Sequence, residues 1–88
     1  MSVAAGHTFR VLLFGPIARA AGGSPVIVTD PSPSMSVTQL IERLSVQTPA
    51  IASMLRASRI ARNQAFVGAE DVVSCEDELA VIGMVSGG

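Results

Sequence analysis

Leu79-Ala80-Val81-Ile82-Gly83-Met84-Val85-Ser86-Gly87-Gly88 closes the sequence. Its first part, Leu79 to Val85, is uncharged and apolar at both odd and even positions, the pattern of a strand covered on both faces. Such a strand belongs in the middle of a sheet. Its last part ends on two glycines and a bare carboxylate. Glycine has no Cβ, so the Gly87-Gly88 backbone can enter a channel too narrow for other residues. Val85-Ser86-Gly87-Gly88, fully extended, reaches about 13 Å. The expectation is a mobile arm over residues 85–88 that carries the Gly88 carboxylate into a partner's active site. The chemistry open to that carboxylate is activation by ATP as an acyl-adenylate, then attack by a sulfur or nitrogen nucleophile. The catalyst would be the partner, and this chain would not be catalytic alone. Chain ends are also commonly rich in small residues without any function, so the rest of the sequence has to decide.

A second run of the same kind lies near the other end. Phe9 to Phe14 is short, β-favourable and apolar at both parities, a second central strand. Residues 1–8 ahead of it show no periodicity and are expected as a disordered lead, with no metal or catalytic role for His7. Gly15-Pro16 ends the strand, Ile17 to Ala21 suits one helical turn, Gly22-Gly23 reverses the chain, and Pro25 to Thr29 returns as a hairpin partner. Helix cannot run through Asp30-Pro31-Ser32-Pro33. After it, Ser36 is a good N-cap and Gln39 completes a capping box. Val37, Leu40, Ile41 and Leu44 then fall at i, i+3, i+4 and i+7, the spacing of one buried helix face. Thr48-Pro49 stops that helix and can start a shorter one, with Ile51, Met54 and Leu55 inward. Ile60 to Val67 reads as a strand, Gly68-Ala69-Glu70-Asp71 as a turn and Val72-Val73 as a short edge strand. Glu76-Asp77-Glu78 reads as a solvated turn, with Cys75 beside it as half-buried filler.

Two central strands at opposite ends of the chain, a hairpin at the front and one main helix between them restrict the topology. Joining the hairpin to the last strand through that helix calls for a right-handed crossover and a parallel central pair. The expected fold is α+β: a ubiquitin-like β-grasp over residues 9–84, with a mixed four- to five-stranded sheet packed on one main helix. The tail then leaves from the middle of the sheet.

Composition narrows the functions. With 88 residues the chain forms one domain, and a net charge of −1 with six scattered arginines gives no nucleic-acid patch. Lysine is absent, which excludes a phosphate-binding loop ending in Gly-Lys-Ser/Thr and Schiff-base chemistry. One cysteine and one histidine cannot build a zinc cage or an internal disulfide, so no metal is expected. Charged residues are only 15% of the chain against 49% hydrophobic, which favours docking onto another protein. Arg10, Arg62 and Phe66 are the expected members of that docking surface. No apolar run has membrane-spanning length. Arg10 followed by Val11-Leu12-Leu13-Phe14 only faintly imitates a signal peptide, since Gly15-Pro16 breaks the run and Arg19 sits in the supposed cleavage site. A reducing, cytoplasmic setting is expected.

Three segments carry a resemblance. Phe14-Gly15-Pro16-Ile17-Ala18-Arg19-Ala20-Ala21-Gly22 resembles a Phe-Ala-x-x-Arg-Glu-x-x-Gly motif, with Arg19 displaced by one position and no Glu after it. Ala61-Arg62-Asn63-Gln64 resembles Ala-Val-Asn-Gln. Glu76 to Ile82, continuing to Val85-Ser86-Gly87-Gly88, resembles Gly-Asp-Glu-Val-x-Phe-x-Pro-Pro-Val-Ser-Gly-Gly, with Gly83-Met84 in place of Pro-Pro. The chain in this respect resembles the small subunit (MoaD) family of molybdopterin synthase, within the ubiquitin-like sulfur carriers, over residues 9–88. The resemblance implies a cycle. A MoeB-like adenylyltransferase, related to ubiquitin-activating enzymes, binds the sheet face and adenylates Gly88, consuming ATP. Sulfur transfer then makes a C-terminal thiocarboxylate. The tail, Val85, Ser86 and Gly87 included, inserts into a MoaE-like large subunit that uses the sulfur to build molybdopterin for the molybdenum cofactor. No cofactor is bound permanently.

Three alternatives remain at this level. The first is a carrier that serves thiamin or cysteine synthesis, whose carriers also end in Gly-Gly. The second is a ubiquitin-like modifier that forms an amide with a target lysine, and the third is a β-grasp binding module whose tail is inert.

Overall fold

The computed structural model describes residues 6–83; residues 1–5 and 84–88 lie outside it. The first strand, β1, spans His7–Leu13. It starts two residues earlier than the sequence reading placed it, so His7 and Thr8 leave the expected lead. The reason is their partner: the second strand, β2 (Val26–Asp30), runs on to Asp30 and pairs antiparallel with His7 and Thr8. Between the two lies a short helix, α1 (Pro16–Ala21), with Pro16 in its first turn. Gly22 ends α1 in the left-handed region, at φ 85°, where a Cβ would be strained.

A short strand, β3 (Ser34–Ser36), leads directly into the main helix, α2 (Val37–Gln47). The capping box is present in full. Gln39 N–H donates to Ser36 Oγ at 3.1 Å, and Ser36 N–H donates to Gln39 Oε1 at 2.9 Å. Val37, Leu40 and Leu44 are buried, and Ile41 packs half-buried against the same cluster. Burying a side chain of that size contributes about 1.5 to 3 kcal/mol before entropy is counted. A 3₁₀ turn at Pro49–Ile51 and the short α3 (Ala52–Leu55) follow, with Ile51 and Leu55 buried.

The stretch read as one strand from Ile60 to Val67 is a hairpin. Strands β4 (Ser58–Arg62) and β5 (Ala65–Val67) pair antiparallel across Asn63-Gln64, both at positive φ, 51° and 72°. Long-range bonds hold that turn in place of a glycine. Asn63 N–H donates to the Glu78 carbonyl at 2.8 Å, Asn63 Oδ1 accepts from Glu78 N–H at 2.9 Å, and Asn63 Nδ2 donates to Asp77 at 3.1 Å. Asp77 also accepts from Ser74 N–H, so the acidic cluster is in part a structural clamp.

Strand β6 (Val72–Ser74) is short, as expected, but it pairs with β3 in a separate two-stranded sheet and not on the edge of the main one. The last described strand is β7 (Leu79–Gly83). The main sheet has the order β2-β1-β7-β4-β5, with β1 and β7 parallel and every other pair antiparallel. Both strands with apolar residues at each parity are central, which is what that pattern requires. This is the ubiquitin-like β-grasp. The core lies between one face of the sheet and the helices, where Phe9, Val11, Val28, Leu40, Leu44, Ile51, Leu79 and Val81 are fully buried.

Candidate functional site

Side chains alternate across a strand, so one buried residue fixes the face of all its neighbours. Phe9, Val11 and Leu13 point to the helices; Arg10, Leu12 and Phe14 therefore point to the other side. The register carries this across the sheet. Leu12 lies beside Ala80, Ala80 opposite Ala61, and Ala61 opposite Phe66. On the same face Ile82 lies opposite Arg59, and Ile27 opposite Arg10. No helix covers this face among the described residues. Phe14 is 55% exposed, Phe66 51% and Ile27 41%, a high exposure for residues of this size.

The open face is thus apolar with arginines set into it. Arg59 places its guanidinium 4.7 Å from the centre of the Phe66 ring, a cation–π contact between neighbouring strands of the open face. Residues expected at the docking surface divide here. Arg10 and Phe66 lie on the open face. Arg62 does not. It lies opposite Leu79 and shares the parity of buried Ile60, which puts it on the helix side. At the strand end its long side chain leaves the core, and Nη1 donates to the Val72 carbonyl at 2.6 Å. Arg62 therefore ties the main sheet to β6. Arg59, absent from the sequence reading, takes the place expected of it; the signal available was its position one residue before buried Ile60.

Gly88 and the tail residues Val85, Ser86 and Gly87 lie outside the described residues. Gly83 is the point from which they start. It ends β7 in the middle of the sheet, opposite Ser58 of β4. Strand β7 is held on both sides, by β1 and by β4, and the Asn63 clamp fixes the loop that feeds it. Gly83 thus ends a strand that is paired on both sides, beside the exposed apolar face.

Elsewhere, Cys75 is a free, half-buried thiol whose Sγ lies 3.9 Å from His7 Nδ1. Among the described residues no three His, Cys, Asp or Glu side chains gather into a group that could hold a metal ion, and no helix is long and apolar enough to cross a membrane.

The geometry and the comparisons with known proteins agree. The ThiS family model matches residues 11–88, nearly the whole chain. The chain belongs to the ThiS family. The curated molybdopterin synthase sulfur carrier subunit of Dictyostelium discoideum is 32% identical to this ThiS family member over 84 residues, covering 93% of this chain and 98% of that protein. Among solved structures, SAMP1 from Haloferax volcanii superimposes with a TM-score of 0.78 at 26% identity, covering 92% of this chain and 99% of its own. A Pyrococcus furiosus protein described as a candidate molybdopterin converting factor, subunit 1, has a TM-score of 0.76 at 19% identity, covering 89% and 98%. At that identity it bears on the fold alone, and the fold is the same. The resemblance to the MoaD-type, ubiquitin-like sulfur carriers read from the sequence is thereby borne out.

Proposed function

We propose that this ThiS family member carries sulfur on Gly88 for molybdopterin biosynthesis, as the small, sulfur-donating subunit of a molybdopterin synthase. The observation that carries the reading is the 32% identity to a curated molybdopterin synthase sulfur carrier subunit across almost its full length, on a family match that runs to residue 88. The chemistry follows from the group at that position. A carboxylate is a poor electrophile, so a MoeB-like adenylyltransferase joins it to the α-phosphate of ATP and releases pyrophosphate. A sulfur nucleophile then attacks the acyl carbon and AMP leaves, giving a thiocarboxylate. The open face supplies the handle, since its apolar residues and arginines suit a partner's apolar surface rimmed by carboxylates. Gly87-Gly88 lets the reacting carbon come close to a buried substrate in a MoaE-like large subunit. The proteins would meet in the cytoplasm, where the reducing setting protects a thiocarboxylate.

The test is pyrophosphate release by the adenylyltransferase with ATP and this chain. Release that is lost on deleting Gly88 is expected. Equal release from both chains contradicts the assignment of Gly88.

The likeness to SAMP1, a small archaeal modifier protein, favours a second reading in which the activated Gly88 forms an amide with a lysine of another protein. Amide-linked adducts that survive reducing agent would support it. A thiocarboxylate without such adducts would support the carrier.

A further inference from the structure

The main sheet ends in two unlike edge strands, β2 and β5. β5 is three residues long, too short to template another chain. β2 carries Val26-Ile27-Val28-Thr29, an uncharged run of β-favouring residues that invites strand addition at an open edge. The direction of its backbone groups follows from β1. Leu13 N–H donates at 2.8 Å to Ser24 Oγ, in the loop that enters β2. By alternation Val11, Phe9 and His7 also turn their backbone groups towards β2, opposite Val26, Val28 and Asp30. Ile27 and Thr29 therefore turn theirs outwards.

Helix α2 covers that edge with two side chains. Arg43 Nη1 donates to the Thr29 carbonyl at 3.1 Å, and Gln47 Nε2 donates to the Ile27 carbonyl. Arg43 Nη2 also pairs with Asp30, which holds the guanidinium at the strand end. The spacings match. Four residues of helix rise about 6 Å and two residues of strand about 6.6 Å, so an i, i+4 pair on α2 meets alternate carbonyls of a strand running the other way.

We propose that Arg43 and Gln47 are an edge guard, which keeps a second copy of this chain from adding its β2 to this one. A two-fold pairing of two β2 strands about Val28 would set Ile27 of each copy opposite Thr29 of the other. At each of those pairs the residues would exchange both backbone bonds. Every such bond needs a carbonyl that Arg43 or Gln47 already holds. With one edge guarded and the other short, association is left to the open face.

The guard can be tested without sulfur chemistry. Sedimentation equilibrium of the full chain, with amide hydrogen exchange on the same samples, compares the parent with Arg43→Ala, Gln47→Ala and the double variant. Val46→Ala, at an 81% exposed position of α2, is the control. Parent and control should stay monomeric. The double variant should self-associate at least about tenfold more tightly than either single variant, each of which uncovers only one of the two carbonyls. On going from dilute to concentrated double variant, the Ile27 and Thr29 amides should slow their exchange at least about tenfold. A folded double variant that stays monomeric overturns the proposal; should it not fold, single variants that stay monomeric overturn it equally. So does association that leaves the Ile27 and Thr29 amides unchanged, which would place the contact elsewhere. A parent that dimerises with those amides protected overturns it too, since the edge would then be open in spite of both side chains.

Discussion

The two faces of the five-stranded sheet are both apolar, and only one of them is covered by the helices. On the helix side Phe9, Val11, Val28, Leu79 and Val81 are sealed from water. On the open side Phe14, Ile27 and Phe66 are each between two-fifths and three-fifths exposed, with Arg10 and Arg59 among them. A single domain of 88 residues gains no stability from leaving such side chains in water. The difference teaches that apolar residues at both parities of a central strand need not answer to the core alone: one parity is sealed by the helices, and the other stays open for the docking proposed above.

The sharpest way to break that distinction is to truncate one aromatic on each face. Phe9→Ala should cost about 3 to 5 kcal/mol in urea unfolding, because the ring is fully buried and its cavity would not collapse. A loss below about 1 kcal/mol would mean that the helix side is not the core. Phe66→Ala should leave unfolding within about 1 kcal/mol of the parent and yet weaken binding to the adenylyltransferase at least tenfold, about 1.4 kcal/mol, as a central aromatic in an interface does. Calorimetric titration reads the second effect. Unchanged affinity would remove the open face from the docking surface.

Ser36→Ala removes the side-chain acceptor of the capping box and should cost about 1 kcal/mol of stability, with no change in partner affinity. That places the start of α2 wholly on the folding side of the comparison. The smallest effect is expected from Arg59→Ala. Losing an exposed cation–π contact with Phe66 should change stability by about 0.5 kcal/mol or less. Its effect on association should appear as a weaker dependence on salt.

Much of this was legible in the residues. The doubly apolar runs at Phe9 to Phe14 and Leu79 to Val85 placed both central strands, and Ser36 with Gln39 located the start of the main helix. These signals are local, or depend only on the order of elements. What escaped depends on contacts between distant parts of the chain. The turn at Asn63-Gln64 has no glycine, and it is held by Asp77 and Glu78, fourteen and fifteen residues away. Strand β3 is three residues long, with serines at both ends, and it forms only because β6 pairs with it across the fold. The face of Arg62 cannot be told from the sequence, because only the burial of Ile60 fixes the parity of β4. The site itself divides in the same way. The Gly-Gly ending was plain in the sequence, while the face that would present it to a partner was visible only in the register.

The account stands or falls on what happens at Gly88. The most direct measurement is the intact mass of the full chain after incubation with its adenylyltransferase, ATP and a sulfur donor, beside a chain lacking Gly88. The account predicts a gain equal to the replacement of one oxygen by sulfur in the full chain alone. An unchanged mass, under conditions in which the same adenylyltransferase loads a known carrier, would contradict it.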